Sequence, residues 1–298
     1  MQPVLITGAN GFVGNYLSEY LAATSTVLAT GKGDCRFSFS VPALTYAPLD
    51  ITDREAVATL IDAFKPRCIV HCAALSKPDQ CETDRPFADT VNVSGTRNLL
   101  EAAARHGAHF VFLSTDFVFD GESGFYREED AVAPVNYYGE TKVRAEALVR
   151  EYPFSWAIVR TVLVYGAPRL NRDNLLTMVA KALREGKPLH IFNDQVRTPT
   201  YVEDLVRGIV KIVETGATGT WHLSGADVRT PYEMAVETAR HLGLDERLIT
   251  PVDEHSFAQP ARRPPKTGFD ISKAKSELNY TTTSFVDGLR RTFADGTS

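Results

Sequence analysis

Short apolar, β-branched runs alternate with amphipathic stretches through the first half of the chain. Val4-Leu5-Ile6 reads as a strand, and Gly14 to Ala23 places Leu17 and Leu21 one helical turn apart. The rhythm repeats as Thr26-Val27-Leu28-Ala29 (strand), Arg54 to Phe64 (helix), Cys68-Ile69-Val70-His71 (strand) and Arg85 to His106 (one long helix). His109 to Leu113 then reads as a buried strand, Tyr138 to Arg150 as a helix and Ser155 to Val162 as a strand. Continuous apolar strands separated by helices predict an α/β fold: a Rossmann-type, doubly wound parallel sheet covered on both faces. In such sheets crossovers are right-handed and ligands lie beyond the carboxyl ends of the strands.

After residue 165 the pattern loosens. Asn174 to Glu185, Val202 to Thr215 and Pro231 to Leu242 read as helices, Pro188 to Phe192 and Trp221 to Leu223 as short strands, and Gln259 to Pro265 as a Pro-rich loop. The expected division is a dinucleotide-binding domain over 1–165, with elements returning to it near 193–222, and a smaller α/β substrate-binding lobe over 166–298.

Composition narrows the class. At 298 residues, with 44% apolar and 23% charged side chains, the chain has the makeup of an ordinary globular protein. A net charge of −5 points away from a nucleic-acid partner. No apolar run approaches the roughly 20 residues of a membrane span; the best, Trp156 to Gly166, is broken by Arg160. The start runs straight into a strand with no secretory pattern. Cys35, Cys68, Cys72 and Cys81 form no paired Cys-x-x-Cys sets, which reads as reduced thiols in a cytoplasm, and no metal site is assigned. His71 reads as a core residue rather than a ligand.

Gly8-Ala9-Asn10-Gly11-Phe12-Val13-Gly14 joins the first strand to the first helix. Gly8 permits the tight turn, Gly11 lets backbone N–H groups approach a pyrophosphate, and Gly14 allows close helix–strand packing. The helix N-terminus adds partial positive charge, so Gly8, Asn10, Gly11, Phe12, Val13 and Gly14 are assigned to a dinucleotide. The second strand ends Ala29-Thr30-Gly31-Lys32-Gly33-Asp34. Lys32, with no acid at the strand's very end, favours NADP(H), while Asp34 keeps NAD(H) open and Lys32 also reads as a solvated loop residue. Asp50 suits adenine; a helix-capping role for Asp50 or Thr52 competes.

The strand His109–Leu113 runs into Ser114-Thr115-Asp116, and Asn136-Tyr137-Tyr138-Gly139-Glu140-Thr141-Lys142 follows about twenty residues on. Tyr138 and Lys142 are four apart and neighbours on a helix. Tyr137, five from Lys142, is rotated about 140° away and reads as a flanking residue. A ketone that accepts hydride needs a proton. Tyr138 is expected to donate it, with Lys142 lowering its pKa and Thr115 orienting the substrate oxygen.

With these motifs in place, the chain resembles the extended short-chain dehydrogenase/reductases, and within them the dTDP-4-dehydrorhamnose reductase family. The resemblance runs through GANGFVG, HCAALSKPDQCE (71–82), VNVSGTRNL (91–99), STDFVFDG (114–121), YYGETK, RTVLVYG (160–166), NDQVRTPTYVEDL (193–205) and ARRPPKTGFD (261–270). It implies Thr115, Tyr138 and Lys142 as catalytic residues. It further implies that the glycine turn, Asp50, Ile51, Ala73, Ala74 and Lys142 hold the cofactor, and that the substrate is a nucleotide-linked 4-keto-6-deoxy sugar. Asp116, Phe117 and Arg263 are candidate substrate contacts; Arg262 and Arg263 also read as an exposed loop pair. Where the reductases commonly carry Arg-Thr-Ser-Trp-Val-Tyr, this chain has Arg160-Thr161-Val162-Leu163-Val164-Tyr165, which leaves the sugar open. Other readings within the resemblance are an NAD-retaining epimerase or dehydratase and a regulatory subunit like the methionine adenosyltransferase β subunit. Dehydratases usually carry Thr-Asp-Glu where this chain has Thr115-Asp116-Phe117. A homodimer is a further expectation.

Overall fold

The computed structural model describes residues 2–170, 173–256 and 259–294. Its strands are β1 (Pro3–Thr7), β2 (Thr26–Gly31), β3 (Leu44–Pro48), β4 (Cys68–His71), β5 (His109–Thr115), β6 (Trp156–Thr161), β7 (Val164–Tyr165), β8 (Leu189–Phe192), β9 (Thr200–Tyr201), β10 (Gly219–His222) and β11 (Ile249–Val252). The helices are α1 (Phe12–Ala22), α2 (Arg54–Phe64), α3 (Pro78–Thr83), α4 (Arg85–Asp89), α5 (Gly95–Ala104), α6 (Tyr137–Arg150), α7 (Leu175–Arg184), α8 (Val202–Thr215), α9 (Pro231–Leu242), α10 (Ser272–Leu278) and α11 (Phe285–Thr292).

Seven strands form one parallel sheet in the order β10-β6-β5-β4-β1-β2-β3. The order reverses between β1 and β4, so a crevice opens where their carboxyl ends diverge. Alternation along the strands splits the core. Val4, Ile6, Val27 and Val70 face Leu17, Leu21, Leu205 and Ile209 of α1 and α8. Leu5, Ile69, Phe110 and Ile158 face Ile61, Leu99, Ala103 and Val149 of α2, α5 and α6. The later elements build two smaller apolar clusters, around Tyr165, Tyr201 and Phe285 and around Val179, Ile191 and Ile249.

The long helix expected over Arg85–His106 is interrupted. Thr90–Ser94 forms a π-helical turn between α4 and α5, with Asn92 buried in it. The Asn92 side chain accepts from Leu75 N at 2.8 Å and donates to Leu75 O at 3.1 Å and Thr141 Oγ1 at 3.0 Å. These bonds tie the loop after β4 to α6. Neither Asp50 nor Thr52 caps α2: Asp53 does, accepting from Ala56 N at 3.0 Å. Asp50 instead accepts from the Thr52 amide and hydroxyl in a local turn. Among the described residues no helix is long and apolar enough to cross a membrane.

Candidate active site

The glycine turn is shaped by missing side chains. Gly8 has φ +73°, and a Cβ there would lie 2.6 Å from Ala73 N; one on Gly14 would lie 2.4 Å from Gly8 O. The turn and the loop after β4 are therefore in backbone contact, reinforced by Ala73 N donating to Thr7 Oγ1 at 3.3 Å. Gly11 is the N-cap of α1; no side chain caps this helix and no acid occupies its first turn. Its leading N–H groups have no intrahelical acceptors, so the cradle fits a pyrophosphate. Asn10 turns away from it: its amide donates to Asp34 O at 2.9 Å and Tyr46 Oη at 2.8 Å and accepts from Arg36 N, binding the segment after β2 onto the turn.

Lys32 does not stand alone. Its Nζ lies 2.8 Å from Asp50 Oδ2, and this contact, with the Thr52 bonds, pulls the Asp50 carboxyl down to about 2. The cation expected to read a 2′-phosphate and the acid expected to read adenine are paired with each other. Ile51 is buried in the core, against Gly95, where a Cβ would meet its Cδ1 at 2.7 Å. His71 is a satisfied core residue. Nδ1 is 2.7 Å from Thr7 Oγ1 and Nε2 is 3.0 Å from Thr96 Oγ1. Burial, and secondarily Lys142, push its pKa down to about 3.

At the other end of the crevice α6 lies against the end of β5. Asn136 caps it, accepting from Gly139 N at 2.9 Å and donating to Arg262 O at 2.7 Å. Gly139 makes close contact with the short 3₁₀ turn Asp116–Val118: a Cβ there would stand 2.1 Å from Phe117 O. Tyr138 is thereby held beside Thr115, its ring edge-on to Phe117 at 6.0 Å. Tyr137 packs elsewhere, flanked by the guanidinium groups of Arg85 and Arg144 at 4.7 and 5.4 Å.

One expectation fails here. Lys142 does not lower the Tyr138 pKa: burial first, then the charge of Asp116, raise it, and the hydrogen bond with Thr115 only partly offsets them. The physical reason is that Lys142 is engaged elsewhere, with Nζ donating to Leu113 O at 2.7 Å and lying 3.9 Å over the Phe112 ring. Burial pushes Lys142 itself down to about 7, opposed mainly by Glu146. Tyr138 is thus a phenol that keeps its proton at neutral pH. Beneath it, Glu146 is fully buried and accepts from Ser114 at 2.7 Å and from Arg160 at 2.9 and 2.8 Å, fastening α6 to β5 and β6.

The Pro-rich segment crosses this end of the site. Arg263 forms a bidentate pair with Asp79 of α3, both bonds 2.7 Å, while Arg262 is exposed. Arg197, 3% exposed, donates to the carbonyls of Val196, Pro264 and Pro265 and to Gln195 Oε1. Thr267 donates to Asp116 Oδ2. Sequence reasoning missed Arg197, Thr267, Asp79 and Gly139. Each lies inside a stretch that carries the resemblance, but its partner is elsewhere in the chain.

The profile of the RmlD substrate binding domain matches residues 1–298. The chain belongs to that family. Its fold is the Rossmann-like fold of the extended short-chain dehydrogenase/reductases. Within the RmlD likeness, a dTDP-4-dehydrorhamnose reductase from Bacillus anthracis, solved in complex with NADP, superposes with a TM-score of 0.85 at 30% identity, covering 99% of each chain. The probable low-salt glycan biosynthesis reductase Agl14 of Haloferax volcanii is 30% identical over 288 residues, 95% of each chain. The methionine adenosyltransferase 2 subunit beta of Xenopus tropicalis is 33% identical over 294 residues, 96% of this chain and 85% of its own.

Proposed function

We propose that this protein uses NADPH to reduce the C4 ketone of a nucleotide-linked 4-keto-6-deoxy sugar, as its likeness to dTDP-4-dehydrorhamnose reductases suggests. The observation that carries the reading is the placement of Thr115, Tyr138 and Lys142 at the same sheet edge as an uncapped, glycine-lined helix N-terminus. A bound nicotinamide supplies the hydride. The chain's own residues do the rest. Gly8 to Gly14 seat the pyrophosphate, with Ala73 and Ala74 closing the far wall and Ile51 packing behind. Lys32 and Asp50 meet the adenosine end, with NADP(H) ahead of NAD(H).

Tyr138 holds its proton until the ketone oxygen gains charge, then releases it to that oxygen. Lys142, held on Leu113 O, fastens α6 to the end of β5 and so fixes where Tyr138 stands. Phe117 and Arg263 face the sugar nucleotide. On this reading the sheet through residue 165, with β10 returning, binds the cofactor and the later elements bind the substrate. A cytoplasmic setting fits the unpaired thiols.

The test follows NADPH and NADH oxidation with a panel of nucleotide 4-keto sugars. Tyr138→Phe is expected to lower kcat by about 10²–10⁴-fold while binding NADPH normally; equal rates in the two proteins sink the mechanism. The likeness to methionine adenosyltransferase β subunits favours a second reading, a regulatory partner. Co-purification with a synthetase, together with full function in Tyr138→Phe, would replace the first reading by the second.

A further inference from the structure

Asp116 follows Thr115 at the end of β5 and is 4% exposed. Its Oδ1 accepts from Thr115 Oγ1 at 3.0 Å, and its Oδ2 accepts from the Thr267 hydroxyl. The same Thr115 oxygen accepts from Phe117 N at 3.3 Å. Arg197 Nε lies 3.9 Å from Oδ2, beyond hydrogen-bond reach, because its terminal nitrogens are committed to Val196, Gln195, Pro264 and Pro265. Tyr138 is the other titratable group against the carboxyl, and Arg197 in turn feels the charges of Asp194 and Arg263. Burial outweighs Arg197 and both hydroxyls, and raises the Asp116 pKa.

A threonine hydroxyl carries one proton. When Asp116 is ionised it accepts from both hydroxyls, so Thr115, with one lone pair taken by Phe117 N, presents only its other lone pair to the crevice. It can then take a bond from Tyr138 but cannot donate to a substrate oxygen. When Oδ1 is protonated, Asp116 donates to Thr115 and the Thr115 proton is released toward the crevice, while Thr267 still donates to Oδ2. We propose that Asp116 is a positioning residue whose carboxyl proton decides whether Thr115 donates to the substrate ketone. This rests on the reductase reading of the site and gives Asp116 a role other than sugar contact.

The experiment compares wild type, Asp116→Asn, Thr115→Val and the double variant. Wild-type kcat/KM is expected to fall by about 10²-fold, the value of one lost donor, as pH rises through the Asp116 titration. Asp116→Asn, with its amide toward Thr115, is expected to lose that limb whatever its absolute rate. In the Thr115→Val background the same substitution is expected to change nothing further. A limb that persists in Asp116→Asn, or additive effects in the double variant, overturns the proposal.

A second readout needs no turnover. In ¹³C NMR of aspartate-labelled protein, Thr115→Val is expected to raise the Asp116 midpoint, since the carboxylate loses a donor; an unmoved midpoint also overturns the proposal. Absent wild-type turnover with every nucleotide 4-keto sugar would count against the reductase reading, and the NMR result would still decide the role of Asp116.

Discussion

At the glycine turn, the crevice is built from backbone lying against backbone: Gly8 against Ala73, and Gly14 against Gly8 itself. At the Tyr138 end it is built largely from side chains that reach across the sequence. Asp79 meets Arg263, Asp116 meets Thr267, and Arg197 meets Pro264 and Pro265. The first region is set by backbone contacts alone, whereas the second adds, to the one such contact at Gly139, pairs that must arrive together. A pyrophosphate has one shape and one charge, so a fixed row of backbone N–H groups suits it.

Two single-methyl substitutions break the comparison from opposite ends. Gly139→Ala drives a Cβ into Phe117 O and displaces Tyr138 from Thr115. We expect kcat to drop by about 10²-fold, since a misplacement near 1 Å costs that much, with NADPH affinity little changed. Gly14→Ala, clashing with Gly8 O, is expected to do the reverse. Cofactor affinity should fall about tenfold, within the 1–3 kcal/mol of overpacking, while kcat at saturation is kept. Titration of NADPH fluorescence beside steady-state rates separates the two; identical profiles would mean the ends do not act independently.

A smaller effect comes from pH. Lys142 has a folded pKa near 7 against 10.5 for the free side chain. Between pH 7 and about 8.5 the unfolded chain therefore binds more protons, and stability rises with pH, by at most about 1.4 kcal/mol per unit. Above pH 9 the buried thiols of Cys68 and Cys72, raised by burial, act in the opposite sense, and His71 is silent throughout. Lys142→Met should flatten the rise in urea midpoints over pH 7–8.5; an undiminished rise would assign it to another group. The smallest expected change is at the adenosine end. Asp50→Asn releases Lys32 and should raise the NADPH-over-NADH ratio of kcat/KM a few-fold, in keeping with an exposed ion pair.

What was legible in the sequence follows the same divide. The parallel sheet, α8 and α9, the glycine turn and the choice of Tyr138 over Tyr137 all rest on periodicities and spacings of seven residues or fewer. The short α3 and α10 and the two-residue β7 and β9 have no such signal, because their stability comes from docking rather than from their own pattern; α11 does carry one, in Phe285 and Leu289 four apart behind the Ser284 cap, and sequence reasoning missed it. Lys32 was readable as a cation; its partner Asp50, eighteen positions on, was not, and neither was the bond that keeps Lys142 on Leu113 O. A contact across eighteen or twenty-nine residues already lies outside any local period, and one across 151, as between Thr267 and Asp116, leaves no trace at all.

The π-helical turn at Thr90–Ser94 amounts to a phase slip of one residue in an otherwise regular helical run. Upstream and downstream of it, the same helix reads two different surroundings. α4 packs against α3 and α6, and α5 follows the sheet with Leu99 and Ala103 in the core. Closing the slip by one deletion would rotate everything after it by about 100°, so α5 could keep its apolar face inward only by turning Asn92 away from Leu75 and Thr141. That single extra residue lets one continuous rod answer to two clocks, the period of the core and the position of α6.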